Sequence, residues 1–128
     1  MANLIIADDD PEILALLELL LSPNHTIRTA NDGLQALQLA EVESPDLALL
    51  DYHMPKLDGI MLAKKCNDRK IPFMFITAES EWGAVQNIIA LGALGYLLKP
   101  FTPQRCVTTV DEALRLASER GRDIAASS

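Results

Sequence analysis

Cysteine is scarce in this chain, and the two it has, Cys66 and Cys106, stand far apart. That spacing matches no metal-ligand or redox motif, so a disulfide scaffold, a zinc site and a dithiol centre are not expected, and both thiols read as buried and reduced. Long apolar runs are also lacking. Every hydrophobic stretch meets an acid or a proline well short of a membrane span, and no basic segment followed by an apolar one opens the sequence, so export and membrane insertion are not expected. Basic residues are outnumbered. Eleven Lys and Arg against eighteen Asp and Glu give a formal charge of −7, which repels a phosphate backbone and argues against direct nucleic-acid binding. Neither a P-loop nor a dinucleotide-binding glycine pattern occurs.

What is present is a steady alternation of strand and helix signals. Leu4 to Ala7 form a short apolar run closed by Asp8, Asp9, Asp10 and Pro11, as expected of a strand buried on both faces. Asp10 then suits an N-cap with Pro11 as first helical residue, and Ile13, Leu16, Leu17 and Leu20 repeat at helical spacing. The same unit recurs four times. Strands are expected over Thr26 to Ala30, Leu47 to Leu50, Phe73 to Thr77 and Gly95 to Leu98. The inner helical faces read as Gly33, Ala36, Leu37 and Ala40, then Gly59, Leu62, Ala63 and Cys66, then Val85, Ile88, Ile89 and Gly92, and last Val107, Val110, Leu114 and Ala117. The last helix is expected to end before Gly121, which makes residues 1–120 one domain and 121–128 a polar tail or the start of a linker.

Five strands alternating with five helices predict a doubly wound α/β fold of the flavodoxin-like kind, with a five-stranded parallel sheet for which the order 2-1-3-4-5 is chosen. In such sheets ligands bind beyond the carboxyl ends of the strands, where the order reverses. The residues expected there are Asp8 and Asp9 after the first strand, Asp51 after the third, Thr77 after the fourth and Lys99 at the end of the fifth. Three carboxylates at one sheet edge repel one another, and a hard divalent cation relieves that repulsion. Few oxygen ligands suit Mg²⁺, which keeps several waters and takes one or two carboxylates plus phosphate oxygens. A nucleophilic carboxylate, a metal, a hydroxyl and an ammonium are what phosphoryl transfer requires.

The arrangement resembles the bacterial response-regulator receiver family over nearly the whole chain, from Leu4 to about Glu119. The matching residues are Asp8 and Asp9, the run Leu49-Leu50-Asp51-Tyr52-His53-Met54-Pro55 continuing to Asp58-Gly59, the triplet Ile76-Thr77-Ala78, and Gly95-Tyr96-Leu97-Leu98-Lys99-Pro100-Phe101. The resemblance implies a signalling switch in a two-component phosphorelay. Asp51 would take a phosphoryl group from a phosphohistidine of a sensor histidine kinase, giving a 4-aspartylphosphate. Asp9 and Asp51 would bind Mg²⁺ directly, Asp8 through water, and the backbone carbonyl of His53 would complete the protein ligands.

By the same resemblance Lys99 pairs with phosphoryl oxygens, a cis peptide joins Lys99 to Pro100, and Thr77 and Tyr96 form the switch. The readout would be the face of the fourth helix, fifth strand and fifth helix, turned to a downstream protein, an output domain or a second copy in a dimer. His53 and Glu79 would tune the phosphoryl lifetime, and His25 reads as a surface residue. The implied setting is cytoplasmic, and the implied chemistry is limited to the chain's own phosphorylation and dephosphorylation.

Two other functions fit parts of the pattern. A haloacid-dehalogenase-type phosphatase also forms an aspartyl phosphate with Mg²⁺, but needs a second Asp two residues after the nucleophile, where this chain has His53. An unphosphorylated docking module usually lacks one of the acids or the lysine, and all are present here.

Overall fold

The computed structural model describes residues 1–52, 54, 59–78, 83 and 85–127, with the backbone alone at 85, 87, 88 and 121–127. The strands are β1 (Ala2–Ala7), β2 (His25–Ala30), β3 (Leu47–Asp51), β4 (Phe73–Ala78) and β5 (Tyr96–Lys99). They form one parallel sheet in the order β2-β1-β3-β4-β5, the order chosen above as the common one for this class of fold. Four helices of ten residues or more lie among the described residues: α1 (Pro11–Leu21), α2 (Gly33–Val42), α3 (Gly59–Asp68) and α5 (Pro103–Ser127). The connection between β4 and β5 adds a six-residue segment, α4 (Val85–Ala90).

Alternation along the central strands builds two cores. Leu4 and Ile6 of β1, Leu47 and Leu49 of β3, and Met74 and Ile76 of β4 face Leu17 and Leu21 of α1 and Cys106, Val110 and Ala113 of α5. Ile5 and Ala7, Ala48 and Leu50, and Phe73 and Phe75 point the other way, onto Ala36 and Leu37 of α2 and Leu62, Ala63 and Cys66 of α3. A strand covered on both sides has no polar positions, so these strands read as unbroken apolar runs. Each large side chain buried in this way contributes about 1.5–3 kcal/mol.

Asp10 caps α1 through a 2.9 Å bond from the Glu12 amide, with Pro11 next in the chain. The other end of α2 is closed from outside the helix. Arg28 of β2 donates to the carbonyls of Leu39, which also accepts the Glu43 amide, and of Glu43, at 2.8 and 2.7 Å, reinforcing the last turn of the helix.

Four expectations need correction. Leu16 is 38% exposed and the inner face of α1 is carried by Leu17 and Leu21, because the leucine-rich run offers an apolar residue at nearly every angle. In α4 Ile89 is 68% exposed, since two adjacent isoleucines permit two rotations of a short helix; the side chains of Val85 and Ile88 lie outside the described residues. The helix α5 continues through Gly121 to Ser127, where a single glycine costs only about 1 kcal/mol among good helix formers. His25 is not a surface residue. Its side chain is 11% exposed, its Nδ1 accepts the Ala2 amide at 3.2 Å, and its Nε2 lies 3.8 Å from Asp111 of α5. Those partners are distant in sequence, so no local pattern shows them.

Both cysteines are buried free thiols, as expected. Burial pushes Cys66 up to about 12, with nearby Arg69 partly opposing the shift, and pushes Cys106 up to about 11. Both therefore stay protonated in neutral and mildly alkaline solution, and only the thiolate reacts. Iodoacetamide at pH 8 is expected to modify the native protein at least about tenfold more slowly than the urea-unfolded chain. Equal rates would show that one thiol is accessible.

Candidate functional site

The sheet register builds the site. Ala7 pairs with Leu50, so Asp8 and Asp51 leave β1 and β3 at the same level. Asp51 pairs with Ile76, and Ala78 with Lys99, which brings the ends of β4 and β5 to the same edge. The next amide, that of Tyr52, donates to the Ile76 carbonyl at 3.0 Å and extends this pairing beyond β3.

Asp8, Asp9 and Asp51 each bring a carboxylate oxygen into a group spanning no more than 4.8 Å. Asp8 is fully buried and Asp51 is 6% exposed, while Asp9 is exposed. The Lys99 ammonium lies between the two buried acids, 3.0 Å from Asp8 Oδ2 and 3.7 Å from Asp51 Oδ1. The peptide joining Lys99 to Pro100 is cis. Asp8 Oδ1 accepts the Asp10 amide at 2.9 Å, which commits that oxygen to the turn into α1. Asp10 itself caps the helix and is not one of the clustered acids.

Thr77 is 1% exposed, and among the described residues its hydroxyl makes a long 3.5 Å bond to the Ala78 carbonyl. Tyr96 opens β5 and is half-buried, level with Phe75. His53 and Glu79 lie outside the described residues, as do Pro55 and Asp58 of the matching motif.

The donor set fits a hard divalent cation. All three acids offer oxygen, and one buried atom, Asp8 Oδ2, receives no aligned hydrogen bond among the described residues even though the Lys99 ammonium is close. A buried carboxylate oxygen in that condition is costly without further positive charge.

One feature escaped sequence reasoning. Gly59, read there as an inner-face packing residue of α3, lies directly against the chain that leaves Asp51. A Cβ at this position would be 2.7 Å from the Asp51 carbonyl oxygen and 2.9 Å from both Cα and the carbonyl oxygen of Tyr52. The signal in the sequence is its place at the end of the run that matches the receiver family, Asp58-Gly59, which marks the position without showing what it touches.

Fold and site together define a doubly wound α/β domain with an acidic cluster, a hydroxyl and a lysine at the switch edge of its sheet. Residues 4–111 match the response regulator receiver domain, and the chain belongs to that family. It is 37% identical over 116 residues to the alkaline phosphatase synthesis transcriptional regulatory protein PhoP of Bacillus subtilis, covering 88% of this chain and 48% of that protein. It is 36% identical over 127 residues to the transcriptional regulatory protein PdtaR of Mycobacterium tuberculosis, covering 97% of this chain and 60% of the relative. Among solved structures, the receiver domain of NtrX from Brucella abortus superposes with a TM-score of 0.84 at 27% identity, covering 88% of this chain and 98% of that one. The chain thus spans about half to three-fifths of the length of these curated relatives. Among the described residues no helix is long and apolar enough to cross a membrane.

Proposed function

We propose that this chain is a phosphorylation switch in which Asp51 accepts a phosphoryl group from a phosphohistidine of a sensor histidine kinase or phosphotransfer protein. The observation that carries the reading is the Lys99 ammonium set between Asp8 and Asp51 beside a third acid, at one edge of the sheet. The Asp51 carboxylate attacks phosphorus, a P–O bond forms as the P–N bond breaks, and the imidazole leaves with the electron pair. The Asp8, Asp9 and Asp51 carboxylates and the His53 backbone carbonyl would hold Mg²⁺. When bound, that ion neutralises charge on the phosphoryl oxygens.

The protein's own contribution is positioning and electrostatics. Lys99 turns from Asp8 toward a phosphoryl oxygen. Thr77, whose hydroxyl makes a long 3.5 Å bond among the described residues, donates to another. Two added negative charges find these donors in one arrangement of the β4 end, so that arrangement is selected, and Tyr96 moves inward behind it. The altered surface is that of α4, β5 and α5, read by a downstream protein, an output domain or a second copy. His53 and Glu79 tune how fast the acyl phosphate is hydrolysed. Unchanged decay in alanine variants of both would remove that part of the reading. Beyond its own phosphorylation and dephosphorylation the chain turns over no substrate, and its setting is the cytoplasm.

The decisive test is incubation with Mg²⁺ and acetyl phosphate, followed by intact mass and borohydride trapping, which converts an aspartyl phosphate to homoserine. One added phosphoryl group, trapped at residue 51, is the expected result. An unlabelled protein, or homoserine at another aspartate, overturns it.

A further inference from the structure

We propose that Gly59 is a positioning residue for phosphoryl transfer, holding the Asp51 peptide at the depth its carboxylate needs; the inference rests on the reading of Asp51 as acceptor. The Gly59 amide donates to the Tyr52 carbonyl at 3.3 Å, so the first residue of α3 is tied to the residue that follows β3. The three atoms nearest to an added Cβ, at 2.7, 2.9 and 2.9 Å, are all backbone atoms of Asp51 and Tyr52. No rotamer change can relieve such a contact, and either α3 or the acceptor peptide must shift. The rest of α3 is fixed, because Leu62, Ala63 and Cys66 are buried in the core beneath the sheet. Tyr52 is also held, with its ring edge-on to Phe75 at a centroid distance of 5.7 Å. The strain therefore falls on the Asp51 peptide, whose carboxylate must stay within the 4.8 Å acid cluster and near Lys99. A misplacement of about 1 Å at a reacting group costs on the order of a hundredfold in rate.

The test compares wild type, Gly59→Ala and Gly95→Ala, the last chosen because a Cβ at Gly95 meets nothing within 4 Å. Mg²⁺ affinity is measured by titration calorimetry and acetyl phosphate labelling by intact mass, both normalised to the folded fraction from circular dichroism. Gly59→Ala is expected to bind Mg²⁺ more weakly and to label about tenfold or more slowly per folded molecule, whereas Gly95→Ala matches wild type.

Wild-type affinity and rate in Gly59→Ala would overturn the proposal. An unlabelled wild type would instead condemn the reading of Asp51. Should Gly59→Ala fail to fold, wild type decides the matter by amide NMR. The Asp51, Tyr52 and Gly59 resonances are expected to shift with one midpoint as Mg²⁺ is added, and a Gly59 resonance unmoved at saturation overturns the coupling.

Discussion

Asp51→Asn is expected to abolish phosphoryl labelling and, in metal-free buffer, to melt roughly 3–5 °C above wild type. Loss of the label follows from loss of the nucleophile, since an amide does not attack acetyl phosphate. The gain in stability follows from charge. Among the described residues the site sets three carboxylates against one ammonium, with Asp8 fully buried and Asp51 6% exposed. Asparagine keeps the volume of aspartate and removes one of the repelling charges, while Lys99 retains its closer partner, Asp8, at 3.0 Å. The relief is on the order of 1 kcal/mol at the effective dielectric of such a site. Mg²⁺ should reverse the ranking. At a concentration ten times its dissociation constant a bound ion stabilises wild type by about 1.4 kcal/mol, and it stabilises a variant lacking one carboxylate much less. Differential scanning calorimetry with and without Mg²⁺ checks both signs. A variant less stable than wild type in metal-free buffer would show that Asp51 is held by its partners more strongly than it is repelled by Asp8 and Asp9.

The same balance explains what could be read from sequence. The strands and the carboxyl-edge residues were legible because the central strands are covered on both faces, so each appears as an apolar run ending at a polar residue; strand order was not, and was taken from the common order of the fold class. Asp8, Asp51 and Thr77 are buried polar side chains at the ends of such runs, and that conflict with hydrophobic patterning marks them. Features that depend on contacts between distant segments were not legible. The burial of His25 depends on the Ala2 amide and Asp111, and the closure of α2 depends on Arg28 from a neighbouring strand. The rotation of α1 was lost for the opposite reason: too many leucines satisfy the helical pattern at once. Gly59 combines both problems, since its helical spacing is ordinary and its significance lies in the backbone it touches.

Lys99→Met should lower stability by about 3 kcal/mol in metal-free buffer, because it strands the buried Asp8 carboxylate. Methionine retains the apolar stem, so the loss is one of charge rather than packing. The figure sits at the low end for a broken buried pair because the lysine side chain is 25% exposed and water can follow it in. Adding Asp8→Asn to Lys99→Met should recover at least about 1.5 kcal/mol, a non-additivity that independent sites do not show. Lys99 also competes with any cation for the same carboxylates, at 3.0 Å from Asp8 and 3.7 Å from Asp51. Its removal should therefore tighten Mg²⁺ binding even as it removes the donor that a phosphoryl oxygen would use. Chemical denaturation gives the stabilities, calorimetric titration the affinity, and acetyl phosphate labelling the rate. Tighter metal binding with slower labelling in one variant would separate two roles of a single ammonium: offsetting the charge of Asp8 and Asp51 at rest, and donating to the phosphoryl group during transfer. Weaker Mg²⁺ binding in Lys99→Met would mean that the lysine shapes the acidic cluster rather than competing for it, and the assignment of its transfer role would fall with that result.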